Sequence, residues 1–385
     1  MKKIKSFIIP LTIGALIGGV FGVFMPKGMD LTGFLVNLLA GFVGFGVGLV
    51  LHIFLHETGH LIAGKISGYS FVSIRFFNII FIKKDGEWHR KKFNIVGAPG
   101  QCLMSPPEPI DGKFPFIFYN LGGGLMNLIF GGLSLALYFM LPSVSGLWWA
   151  FIPFALVGIL VGILNLVPLS GSVPNDGKNI VMLGKNDQAR HAFWLTLYMH
   201  AQTTKGIRLR DCISAEQFDF FNSDDPNDEN RDNPLILSMK ALRFSWLMDK
   251  YDFEEAKIYV EDMLNSTDKM PEIYINELDC ERLFLELIGE CRKEKIEDLY
   301  TENLKAYIKA TSSYMSRQRL LYAYAKLFLK DDTEATKILE KFNKTCTFTP
   351  FVGEITCERE MVELVDKIAN EQLNTPKNQN TEIEN

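Results

Sequence analysis

Apolar positions crowd into four long runs in the first half of the chain: about Phe7–Met25, Leu31–Ala63, Phe114–Leu141 and Leu147–Leu169. Each is long enough for the roughly 20 helical residues that cross a bilayer. The second, as a helix of roughly 50 Å against a hydrocarbon core of roughly 30 Å, must tilt, break or leave one end at the interface. Between the second and third runs, Phe71–Ile82 is rich in β-branched and aromatic residues. Asp85-Gly86 is a hairpin-turn signal, and Phe93–Val96 is the expected returning strand. Ser105-Pro106-Pro107-Glu108-Pro109 predicts a stiff connection into the third run.

After Gly177 the pattern becomes that of a soluble helical protein. Leu235–Met248 pairs with Phe253–Leu264, Asn276–Cys291 with Ile296–Ala310, and Ser313–Leu329 with Thr333–Phe342, all beyond an acidic, asparagine-rich stretch in Phe218–Asn233. Tyr251–Ala256 and Asp331–Ala335 resemble the inter-helix turns of tetratricopeptide repeats, but the two alanines are 79 residues apart, not a multiple of 34. A short solenoid of paired helices and a plain helical bundle both fit. Residues from about Gln372 are polar and expected to be disordered.

Charge divides the chain at the same place. Residues 1–177 hold 12 Lys+Arg and 7 Asp+Glu, a net of +5; residues 178–385 hold the remaining 28 and 38, a net of −10. Of 31 glycines, 27 precede position 178, so a single soluble domain is excluded. An acidic soluble part without a basic, aromatic-studded stripe argues against nucleic acid. The six cysteines lack C-x-x-C spacing and read as reduced intracellular thiols.

Lysine and arginine also set the orientation. Lys2, Lys3 and Lys5 precede the first run, and eight cations from Lys65 to Lys113 fill the loop between the second and third. The other two loops are nearly uncharged, so the N-terminus, the 64–113 loop and the C-terminal part are expected in the cytoplasm. Gly22–Pro26 lacks a small-residue cleavage pattern, so the first run reads as a retained span. Glycines four apart, at 14/18, 44/48 and 158/162, fit close helix approach or the mere frequency of glycine in membrane helices.

The expected fold is therefore an all-α polytopic membrane domain of about four transmembrane helices with a small β-hairpin in its cytoplasmic loop. A C-terminal α-helical, solenoid-like cytoplasmic domain follows. Boundaries fall at 1–177 for the membrane domain, 178–233 for a linker with connecting helices, 234–370 for the helical, tetratricopeptide-like domain and 371–385 for a disordered tail. The location implied is a bacterial plasma membrane, with both termini cytoplasmic.

Chemistry enters at the end of the second run, in His56-Glu57-Thr58-Gly59-His60. Histidines at i and i+4 share one helix face and can reach one zinc ion, with the glutamate beside the water such an ion holds. Interfacial histidines with a snorkelling glutamate are the bland alternative. A third ligand must come from elsewhere: His52 lies eight residues from His60, roughly 12 Å along the axis, too far for one ion. It reads as a packed or hydrogen-bonded helix residue. Asp176 is the strongest candidate, because the charge rule brings the ends of the second and fourth runs to the same membrane face. Asp187, His191 and His200 are weaker, and His89 reads as a surface residue.

The histidine–glutamate motif, Gly123-Gly124-Leu125-Met126-Asn127 within another span, and Asn165-x-x-Pro168 followed by Asp176-Gly177 resemble the site-2 protease family of intramembrane zinc metalloproteases over about residues 31–180. The resemblance implies one zinc per chain on His56, His60 and Asp176, and Glu57 as general base. It also implies Asn165 and Asn127 as donors to a developing oxyanion. For each asparagine a helix–helix hydrogen bond is the alternative. Asn165 and Asp176 are eleven apart where about eight is commoner, position 124 is glycine where proline is usual, and neither a PDZ nor a CBS domain is present.

The implied partners are the lipid bilayer, a transmembrane protein or peptide substrate such as a membrane-bound regulator or a signal or pheromone precursor, and a cytoplasmic protein for the helical domain. The 71–96 hairpin would hold substrate by strand addition or cap the site. The other class of function is an inactive membrane scaffold acting through its helical domain; the complete set of ligands and base argues against it. A metal sensor or carrier would need a His/Cys cluster that the C-terminal part lacks.

Overall fold

The computed structural model describes residues 30–84, 86–93, 98–141, 146–169, 174–219, 221, 233–265 and 270–374. The expected first span, Gly14/Gly18, Asp85 of the turn, the strand residues Asn94–Val96 and most of the acidic stretch in Phe218–Asn233 lie outside them. The chain divides into two compact units, one drawn from Met1–Phe77 and Ala98–Lys185, the other from Asn78–Gly97 and Asn186–Asn385.

The first unit contains three helices long and apolar enough to cross a membrane. Helix α1, Leu31–Ile66, is 36 residues long, so the long second run does not break. Helix α2 is Ile117–Met140; a 3₁₀ turn, Gly146–Ala150, leads into α3, Phe151–Leu166. The three pack pairwise on one another. Their polarity is reversed relative to a soluble bundle. Leu39 is 66% exposed, Phe42 67% and Phe139 66%, whereas Asn37, His52, Asn120, Asn127 and Ser134 are buried. Such a bundle satisfies its polar groups internally and presents large apolar side chains to its solvent, as hydrocarbon requires. The described 44/48 and 158/162 glycines all lie against another helix or the 3₁₀ turn.

Strand β1, Ser70–Phe76, follows α1 after a tight turn, and β4, Gly100–Ser105, pairs with it antiparallel. The predicted single strand over 71–82 is instead two. Phe77, at φ 53° in the left-handed region, ends β1 before β2, Ile79–Lys84, begins. The returning strand is β3, Glu87–Lys92, paired antiparallel with β2; Phe93, where it was expected to begin, lies beyond it. The register pairs Lys84 with Glu87, so the return comes directly after the Asp85-Gly86 signal of the sequence.

The β2–β3 hairpin belongs to the second unit, where Lys91 Nζ donates to Thr349 O at 2.8 Å and Phe93 packs edge-on against Phe351. The rest of that unit is helical. Helix α4, Asp176–Lys185, closes the first unit, and α5, Asp187–Lys205, opens this stretch. Short helices α6, Leu209–Cys212, and α7, Ala215–Asp219, precede α8, Pro234–Asp249, and α9, Phe253–Asn265. Next come α10, Glu272–Ile288, α11, Lys293–Leu299, and α12, Glu302–Ala310. The predicted helix over 296–310 is thus divided, at Thr301, whose hydroxyl caps Leu304 N. Helix α13, Met315–Ala323, continues as a π turn, Tyr324–Leu329, and α14, Asp332–Phe348, leads to α15, Val352–Asn374. Buried ion pairs cross-link these helices: Arg319 bonds Glu281 and Glu358, and Arg208 bonds Asp249.

Candidate metal centre

One turn of α1 carries His56, Glu57 and His60, and the helix crossing beside it is unusually close. A Cβ on Gly59 would overlap the carbonyl of Gly122, and one on Gly122 the carbonyl of Gly59, so α1 and α2 meet backbone to backbone. One residue on, a Cβ at Gly123 would lie 2.5 Å from both His56 Cε1 and His60 Nε2. The missing side chain is the space the two imidazoles fill.

The third group arrives with α4. Asn175 ties it to the end of α3. Its amide nitrogen donates to Leu164 O at 2.6 Å and Val167 O at 2.7 Å, and its oxygen accepts from Lys178 N at 2.9 Å. That staple satisfies orphan carbonyls of one helix and an orphan N–H of the next, and it fixes Asp176 as the first residue of α4.

His56 Nε2 and His60 Nε2 are 3.1 Å apart, and Asp176 Oδ2 lies 3.4 Å from each. Ligands held at about 2.0–2.1 Å by a tetrahedral ion stand about 3.3 Å from one another. The three atoms therefore have the spacing of one tetrahedral face. Asp176 Oδ2 is buried and accepts no hydrogen bond. A buried carboxylate oxygen and two convergent ring nitrogens could hold a metal ion.

The imidazoles are themselves held. His60 Nδ1 donates to Tyr119 O at 2.8 Å, which leaves its Nε2 lone pair toward the cluster. The Asn127 amide stands between two rings, 3.2 Å from His56 Nδ1 and 3.2 Å from His52 Nδ1. Glu57 is buried beside the start of β4, where a Cβ on Gly100 would overlap its carboxylate. Arg75, fully buried, holds that corner by donating to Phe77 O at 2.6 Å, Ala98 O at 3.0 Å and Gly100 O at 3.2 Å.

Other sequence candidates lie apart from this cluster. Asn165 donates its amide to Val161 O at 2.9 Å, one turn back in its own helix. Asp187 pairs with Arg190, His191 stacks on Trp194 and Phe221, and His89 is exposed. His200, in α5, joins none of the three ligand atoms: among the described residues, His56, His60 and Asp176 are the one group of three or more metal-binding side chains. Sequence reasoning missed Asn175, although asparagine just before an aspartate-led helix is an N-cap signal. It also missed Gly100 and Arg75, whose roles arise only from tertiary proximity. Comparisons with known protein families, curated proteins and solved structures found no match.

Proposed function

We propose that this chain is an intramembrane zinc metalloprotease that cleaves transmembrane or membrane-associated peptide segments. The observation that carries the reading is the tetrahedral-face spacing of His56, His60 and Asp176 with buried Glu57 on the same turn of an apolar helix. Zinc on these ligands would supply Lewis acidity, polarising a scissile carbonyl and acidifying a water. Glu57, buried on the same turn, would act as general base, taking a proton from the attacking water and handing it to the leaving amide nitrogen. Asn165 is the candidate oxyanion donor, which requires its amide to exchange Val161 O for substrate. A segment must be extended before its amide is attacked. Strand β4, paired among the described strands with β1 alone, begins against Glu57 and offers its other edge for strand addition.

The reading includes a retained first span over about 7–25, both termini in the cytoplasm of a bacterial cell, and a protein partner for the helical unit. It is tested by comparing membrane proteomes of cells carrying wild type and Glu57→Gln. The variant keeps the ligands and loses the base, so cleavage falls by about 10²–10⁴-fold while bound zinc stays at one per chain. One single-span protein or peptide precursor accumulates uncut. Identical proteomes, with zinc content unaffected by His56→Ala, would refute it.

A further inference from the structure

His52 is 1% exposed, in a span, and too far along α1 to share an ion with His60. Neither structural burial nor ligation accounts for an imidazole there, because a leucine would fill the place without needing partners. Its surroundings are polar and specific. Nε2 lies 3.2 Å from Phe154 O on α3, and Nδ1 faces the fully buried Asn127, which in turn faces His56.

Proton placement along this row has one neutral solution. Phe154 O is a carbonyl and only accepts, so the His52 proton is on Nε2 and Nδ1 carries a lone pair. That lone pair needs an N–H, which only the Asn127 amide nitrogen can give. The amide oxygen then faces His56 and accepts, so the His56 proton sits on Nδ1 and its Nε2 lone pair points at Asp176 and His60. The structure has Asn127 Oδ1 toward His52 and Nδ2 toward His56. A half-turn of the amide exchanges them within the same envelope, and in such groups the hydrogen-bond network decides the orientation. With the amide as placed, His52 would have to carry a proton on both nitrogens to bond both neighbours, a buried cation with no facing carboxylate.

We infer that His52 is a positioning residue: through Asn127 it fixes the tautomer of His56 that presents Nε2 to the metal. The inference rests on the metal-centre reading above. It makes Asn127 a part of the same relay and not an oxyanion donor.

The test uses the full-length protein in detergent, first metal-free and then titrated with Zn²⁺ against a chromophoric chelator. In ¹⁵N–¹H spectra of histidine-labelled wild type without metal, His56 carries its proton on Nδ1 and His52 on Nε2. In His52→Leu the His56 proton moves to Nε2, and Zn²⁺ binds about 10–100-fold more weakly, the usual loss when a partner of a metal-bound histidine is removed. Asn127→Leu weakens binding to the same degree, and the double variant is no weaker than either single, as one connected chain requires. The relay is overturned if wild-type His56 is protonated on Nε2. It is equally overturned if His52→Leu keeps both wild-type affinity and tautomer, or if the two losses multiply. Wild type that binds no Zn²⁺ at all overturns the metal-centre reading, a separable result, because the tautomers are read without metal.

Discussion

At Gly123, the absence of a methyl group leaves room for two imidazoles, each of which would lie 2.5 Å from a Cβ there. Gly123→Ala therefore lowers Zn²⁺ affinity at least about tenfold, on the scale of other disturbances to histidine ligands. Helix content is unchanged, because alanine is the better helix former by about 1 kcal/mol. Gly100→Ala is the complementary case. The atoms nearest its methyl are all in Glu57, so Zn²⁺ affinity is expected to stay while the turnover number falls; metal titration beside kinetics on one preparation separates the two. The histidines and Glu57 were legible because one helical turn of sequence contains their geometry. Asp176 was legible through a topological argument, since charge put two span ends on one face. Gly100 and Gly123 were not, because a residue whose role is to lack a side chain is defined by neighbours distant in the chain.

Elements place Asp176 and Glu57 more than any side chain does. Asn175 bonds the end of α3 and the start of α4 together. Asn175→Ala removes a cap worth about 0.5–2 kcal/mol. It is expected to lower the unfolding temperature and weaken Zn²⁺ binding together, whereas Gly123→Ala weakens binding alone. Thermal unfolding with and without Zn²⁺ distinguishes them. Of the strands, β1 and β2 were foreseen as one because Phe71–Ile82 has no turn residue between its apolar halves except Asn78; the left-handed Phe77 is a strain that sequence pattern does not announce. Strand β4 was not foreseen at all. Gly100-Gln101-Cys102-Leu103-Met104-Ser105 has no β-branched residue, and only its pairing with β1 makes it a strand.

The whole molecule divides into two compact units. His56, His60 and Asp176 all belong to the first, and the Arg319–Glu281–Glu358 ion network belongs to the second. Unfolding of the full chain should therefore show two transitions. Zn²⁺ raises one of them by mass action. Arg319→Ala destabilises the other by about 1–3 kcal/mol, because the partly buried Glu281 and Glu358 lose their charged partner. Calorimetry reads both, and a single transition moved by both changes would contradict the division.

The reversed polarity of the first unit carries one more consequence, for how its structure is written in its letters. The exposed faces ask only that Leu39, Phe42 and Phe139 be apolar, so many alphabets spell the outside equally well. The inside tolerates almost no synonym: Gly59, Gly122 and Gly123 have no smaller substitute, and His52, Asn127 and His56 work as a phrase. Nearly all the specification of this unit thus resides in its smallest and most polar characters. A complete substitution scan would come out in two tones, blank along the outer faces and dark at a short, widely spaced set of glycines, histidines and amides.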